Sequence, residues 1–120
     1  MVFSLKSSFK FTFLLIIAAF LSKCSLPEIK KEAPEINEVK KGSKFTIILP
    51  ENHTTGYIWQ LSPDFDKNIV ENLNVVWHGN EKGVYFNFET HVKGQVVLTF
   101  VNRKYTDTLN VKSFIIKTLE

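Results

Sequence analysis

The sequence has one cysteine, Cys24, and only five glycines and four prolines among 120 residues. Without a second cysteine the chain cannot form an internal disulfide, so its stability must come from an apolar core and from hydrogen bonds. None of the histidines, His53, His78 and His91, has metal-ligand spacing to another, which argues against a metal site. No nucleophile elbow or other catalytic signature is present. The sequence therefore indicates neither an enzyme nor a bound metal or cofactor.

The chain also has little net charge once its first residues are set aside. The formal charge is +3, from 15 basic and 12 acidic residues, but Lys6, Lys10 and Lys23 precede Cys24 in a segment without any acidic residue. Without these three lysines, 12 basic and 12 acidic residues remain. A protein that binds nucleic acid is expected to keep a basic face, so nucleic acid is excluded as a partner.

The N-terminal segment has the features of an export signal. Lys6 and Lys10 precede an apolar run of 11 residues at 11–21. This run is too short for a bilayer-spanning helix of about 20 residues. The four residues that end at Cys24 resemble a bacterial lipobox; the alternative is an ordinary cleaved signal with an incidental cysteine. We predict that residues 1–23 are a lipoprotein-type signal peptide and that Cys24 is lipidated. The protein would then be exported and anchored to the membrane, facing the periplasm or the cell exterior.

The rest of the chain is long enough for one domain. Residues 24–34 include Pro27 and Pro34 and show little periodicity, which is typical of an extended tether; the alternative is a short edge strand. Residues 35–120 alternate strand-like runs with turn signals about every ten residues, which predicts an all-β, antiparallel β-sandwich of seven to eight strands. The predicted strands are 35–39, 45–49, 57–61, 74–78, 84–89, 95–102 and 109–117, with one possible helical turn within 66–73.

Three polar loops of this sandwich are expected to meet at one end. They span residues 51–56, 79–83 and 103–107, and two predicted strands separate each loop from the next. Each pair of strand crossings returns the chain to the same end of the sandwich. The strand count alone therefore predicts a surface made of three loops.

The first loop carries a distinctive motif, Asn52-His53-Thr54-Thr55-Gly56-Tyr57, followed by Trp59. Threonine is stiff at χ1 and glycine permits unusual backbone angles, so such a loop can keep one shape without a partner. The motif resembles Asn-Pro-Thr-Thr-Gly-Tyr/Phe-x-Trp of the chagasin-like inhibitors of papain-family cysteine proteases. His53 stands where that family usually has proline.

The resemblance extends from about Glu35 to the C-terminus. The second loop, Gly79-Asn80-Glu81-Lys82-Gly83, is similar to the glycine-rich second loop of the family. The third, Arg103-Lys104-Tyr105, stands where the family has Arg-Pro-Trp, so only the arginine is kept.

The resemblance implies an immunoglobulin-like sandwich that acts as a reversible, non-covalent inhibitor of papain-like cysteine proteases, as a monomer and without a cofactor. It implies that Thr54, Thr55 and Gly56 occupy the protease cleft, with Arg103 and Tyr105 on one rim and residues 79–83 on the other. The alternative from another class is a lipid-tethered adhesion or envelope-assembly module with inert loops.

Single residues add further expectations. Proline would fix a backbone angle, so His53 is expected to loosen the first loop and weaken binding, and Lys104 and Tyr105 are expected to cost rigidity and contact area. Trp59 is interpreted as a core residue and Trp77 as core or edge packing. Tyr105, in a polar turn, is interpreted as an interface anchor.

Overall fold

Two β-sheets pack face to face in the part of the chain that the computed structural model describes, residues 26–120. The predicted signal peptide and Cys24 lie outside the described residues. One sheet has the strand order β1-β7-β6-β3 and the other has the order β2-β5-β4. The strands are β1 (Ile36–Lys40), β2 (Lys44–Leu49), β3 (Ile58–Leu61), β4 (Val70–Trp77), β5 (Val84–Thr90), β6 (Gly94–Lys104) and β7 (Asp107–Leu119).

The core follows the alternation of apolar residues along the strands. In β5 the side chains of Val84, Phe86 and Phe88 are buried, while those between them are partly exposed. Phe86 and Phe88 both pack edge-on against Phe100 of the other sheet, at ring-centroid distances of 4.8 and 6.4 Å. Each such aromatic residue removes a large apolar area from water, and this burial joins the two sheets without a disulfide. The predicted β-sandwich is confirmed.

One strand pair departs from the antiparallel arrangement. β1 runs parallel to β7, with Ile36 opposite Ile115 and Lys40 opposite Leu119. The alternation of buried and exposed residues has the same period in either direction. The sequence pattern therefore predicts the strand but not the direction of its neighbour.

The region predicted to contain a helical turn is divided between a turn and a strand. Backbone N–H groups of Ile69 and Val70 donate to the carbonyl of Asp66 at 3.2 and 3.3 Å, which closes one turn. From Val70 onward the chain is β4, because Val70 is buried in the core and pairs with Thr90. The one predicted turn is therefore present at the start of this region, and residues 70–73 belong to β4.

The last two strands form a longer hairpin than the sequence predicts. Arg103 pairs with Thr108 and Lys104 with Asp107, so only Tyr105 and Thr106 remain between β6 and β7. Much of the predicted third loop is thus the tip of a two-stranded ribbon, whose backbone is positioned by strand pairing.

The described part of the predicted tether pairs with both sheets. Ile29 donates to the carbonyl of Thr46 at 2.9 Å, Thr46 donates to Pro27 at 3.0 Å, and Ala33 donates to Ser113 at 2.9 Å. The short edge strand left open as an alternative is realised as a single parallel bridge between Glu28 and Thr46. Among residues 26–120 there is no helix of the length and apolar character needed to span a bilayer.

Candidate functional site

The three polar loops lie side by side at one end of the sandwich, as the strand count predicts. The backbone N–H of His53 in the first loop donates to Oδ1 of Asn80 in the second loop at 3.0 Å. The first and third loops are joined by the Tyr57 hydroxyl, which donates to the carboxylate of Asp107. The side chain of Lys104 lies beside Gly56 and over the ring of Tyr57, 6.0 Å from its centroid.

The tip of the first loop is a short 3-10 turn, His53–Thr55, that is closed by its own polar groups. Oδ1 of Asn52 accepts from the backbone N–H and the hydroxyl of Thr54, at 3.0 and 2.6 Å. The hydroxyl of Thr55 donates to the Asn52 carbonyl at 2.9 Å, and Gly56 ends the turn with φ of +81°. All of these residues are exposed. The loop therefore has a fixed shape and presents its side chains to solvent.

The buried carboxylate of Glu51 contacts this turn and the strand that follows it. Its Oε1 accepts the backbone N–H of Trp59 at 2.7 Å, and its Oε2 lies 2.7 Å from Nε2 of His53. Its carbonyl accepts from the indole of Trp77 at 3.1 Å. A buried carboxylate is costly unless its oxygens have such partners. Glu51 therefore ties the loop to β3 and β4.

His53 contacts three of its neighbours. Its ring stacks on the Trp77 ring, with centroids 3.8 Å apart and planes 10° apart, in addition to its contacts with Glu51 and Asn80. The loosening expected from the sequence stays a prediction, and the structure gives the histidine three interactions that a proline would lack. We call Glu51, His53 and Trp77 the His53 clamp.

Within this clamp, Glu51 and Trp77 were not predicted as site residues from the sequence. Trp59 is buried, which confirms it as a core residue, whereas Trp77 is 41% exposed and packs at the sheet edge. The sequence offered two signals for these residues. Glu51 is a charged residue two positions after an apolar strand, and Trp77 is an aromatic residue two positions before the second loop.

The second loop is held by its glycines. Gly83 donates to the Gly79 carbonyl at 2.9 Å, and His78 donates to the Gly83 carbonyl at 2.8 Å. Both glycines have positive φ, +100° for Gly79 and +87° for Gly83. Gly83 is buried against the backbone of Leu49. The three residues between the glycines are exposed: Asn80, Glu81 and Lys82.

The third loop presents Tyr105 at its tip. Tyr105 is 90% exposed and has φ of +54°, a backbone conformation that hairpins usually give to glycine or asparagine. The hydrogen bond from Tyr57 to Asp107, together with desolvation and the negative charge of Asp107, raises the pKa of the Tyr57 hydroxyl above its ordinary value. Arg103, Lys104 and Tyr105 line a shallow groove of about 370 Å³ beside Gly56.

Strand pairing also gathers three possible metal ligands at the other end of β4 and β5. The ligand atoms of Glu71, Glu89 and His91 lie within 4.8 Å of one another, a proximity that histidine spacing in the sequence did not reveal. The imidazole of His91 is already bound by Glu71 at 2.7 Å, and both of these side chains are exposed. The group is separate from the three loops, and an exposed hydrogen bond between His91 and Glu71 accounts for it.

Comparison with known proteins places this arrangement in a family. The profile described as Chagasin family peptidase inhibitor I42 matches residues 38–117, which include all three loops. Among solved structures, the cysteine protease inhibitor EhICP2 from Entamoeba histolytica is similar, with a TM-score of 0.63, 11% identity, and coverage of 78% of this chain and 93% of that chain. Amebosin is matched with a TM-score of 0.48 at 22% identity, over 78% of this chain and 96% of that chain. A search of curated proteins finds no match. The profile spans more than half of the sequence, and the chain therefore belongs to the chagasin family of peptidase inhibitors rather than to a family of enzymes.

Proposed function

We propose that this protein inhibits papain-like cysteine proteases by placing its first loop in the active-site cleft. The observation that carries the proposal is the self-closed turn of Thr54 and Thr55, exposed at the centre of three adjacent loops. A loop that already has its bound shape loses little entropy on binding. One copy of the chain supplies all three loops, so the proposed inhibition does not require a second copy.

The same geometry supports a reversible, non-covalent mode of inhibition. The tip of the loop contains Asn52, His53, Thr54, Thr55 and Gly56, none of which offers an electrophile to a catalytic thiolate. The turn folds back onto the Asn52 carbonyl. It therefore presents no extended segment for cleavage.

The neighbouring loops are assigned to the two rims of the cleft. Arg103, Lys104 and Tyr105 lie on one side of Gly56, and the second loop reaches His53 from the other side through Asn80. Tyr105 is an aromatic side chain exposed at a two-residue hairpin tip, which is the kind of residue that anchors an interface. Thr54, Thr55 and Gly56 occupy the cleft between these flanks.

The direct test is inhibition of papain by the chain from Ser25 onward, with trypsin as the control protease. We expect papain activity to fall at a stoichiometric excess of inhibitor and to return on dilution, while trypsin activity stays unchanged. Full papain activity in the presence of folded protein, verified by a cooperative melting transition, would contradict the proposed function and would favour the adhesion or envelope-assembly alternative.

We also propose that Cys24 carries the lipid that anchors the inhibitor to the membrane. The support is the position of this cysteine directly after an apolar run of 11 residues. In a bacterial expression host, Cys24→Ser is expected to move the protein from the membrane fraction to the soluble fraction. Identical fractionation of the variant and the parent would show that the lipidation assignment is incorrect.

A further inference from the structure

We propose that the His53 clamp sets the affinity of this inhibitor by holding the first loop in its binding shape. Glu51, His53 and Trp77 act as positioning residues and take over the role of the proline that the family usually has at position 53. This inference rests on the proposed function, because the loop they hold is the one assigned to the protease cleft.

The His53 ring is held on two sides by groups outside the tip of the loop. Its Nε2 lies 2.7 Å from Oε2 of Glu51, whose side chain is only 5% exposed and whose other oxygen accepts from Trp59 of β3. The centroid of the His53 ring lies 3.8 Å from that of Trp77, which is at the end of β4. The turn at 53–55 is thus fixed relative to both sheets.

The backbone of His53 adds a third connection. Its N–H donates to Oδ1 of Asn80, which orients the first loop against the second. A proline at position 53 would fix the φ angle but has no N–H donor and no imidazole nitrogen. It would leave Asn80 and Glu51 without these partners. Proline therefore stiffens the backbone of the loop, whereas this histidine also sets the position of the loop relative to its neighbours.

Loss of the clamp is expected to weaken binding without unfolding the domain. His53 and Trp77 are both partly exposed, with His53 43% and Trp77 41% accessible, so the core does not depend on their stack. A loop that populates its binding shape only part of the time binds more weakly in proportion to that fraction. The effect therefore falls on the inhibition constant.

A double-mutant cycle with His53→Ala and Trp77→Ala tests this coupling. We expect each single variant to inhibit papain about tenfold more weakly, the range that one aromatic contact contributes. The double variant is expected to lose less than the sum of the two single losses, because each single variant already breaks the shared stack. Trp77→Phe, which keeps an aromatic face, is expected to recover part of the loss. Additive losses, or unchanged inhibition in both single variants, would overturn the inference.

Restoring the family residue gives a second test with an opposite expectation. His53→Pro is expected to weaken inhibition, since it removes the stack, the contact with Glu51 and the donor to Asn80. Tighter inhibition by this variant would overturn the inference.

A readout on the free protein separates this inference from the proposed function. His53→Ala is expected to change the fluorescence of Trp77 and to speed hydrogen exchange at the amides of residues 54–57, while the melting transition stays well above the assay temperature. If the parent protein fails to inhibit papain, the proposed function fails but these two measurements still decide whether the clamp orders the loop. Unchanged fluorescence and exchange would overturn the clamp even if the parent inhibits papain.

Discussion

Replacement of Thr54 and Thr55 together by glutamate is expected to abolish inhibition of papain, with an inhibition constant raised about a thousandfold or more. In the proposed complex both side chains enter a closed cleft, where a carboxylate without a partner loses its hydration and gains nothing in return. Two such charges also add bulk at the centre of the interface, where contacts contribute most to binding.

Stability is expected to change much less than inhibition. Both threonines are exposed, and their hydroxyls bond only within the turn, to Asn52 and to the N–H of Tyr57. The loss of such exposed hydrogen bonds costs about 1 kcal/mol each, which leaves a cooperative melting transition intact. A loss of that transition together with inhibition would instead assign the threonines a structural role.

The matched control keeps the hydroxyl groups and removes only the methyl groups. Thr54→Ser with Thr55→Ser preserves the bonds to Asn52, so inhibition is expected to stay within a few-fold of the parent. Equal losses in the serine and glutamate variants would mean that the methyl groups, rather than the space in the cleft, determine binding.

The sequence predicts that the three loops lie together, because this prediction depends only on an even number of strands between successive loops. Val84, Phe86 and Phe88 alternate with polar residues, so β5 is recognisable without any tertiary information. Two strands between successive loops bring them to the same end whatever the exact strand bounds are. The errors of a few residues in β4, β6 and β7 therefore leave the predicted surface unchanged.

The interactions that hold the first loop are not predictable in the same way. Glu51 and Trp77 are 26 positions apart and meet only because β4 ends beside the loop. From the sequence alone, histidine in place of proline predicts a less rigid loop. The structure shows that the His53 ring contacts both Glu51 and Trp77. Local rules describe a residue in its own turn, whereas the shape of this loop depends on groups from β3, β4 and the second loop.

The shape of the first loop also depends on the backbone of Leu49 and Pro50, which lies against Gly83. Gly83→Ala is expected to lower the free energy of unfolding of the domain by about 2–5 kcal/mol. A β-carbon on Gly83 would lie 2.2 Å from the carbonyl oxygen of Leu49 and 3.2 Å from Cα of Pro50, so the backbone itself must move. The positive φ of +87° adds strain for any residue with a side chain. Leu49 and Pro50 lead directly into Glu51, so the displacement is also expected to weaken papain inhibition.

Gly79→Ala is the matched control for this prediction. Gly79 also has a positive φ, +100°, but a β-carbon there would meet no atom within 4 Å. Its cost is therefore the backbone strain alone, about 1–2 kcal/mol. In thermal unfolding of a domain of this size, 1 kcal/mol corresponds to a shift of about 4–8 °C in Tm, so the two variants are readily resolved. Equal Tm values for Gly83→Ala and Gly79→Ala would mean that the strand end at Leu49 yields without cost, and that the second loop does not determine where the first loop begins.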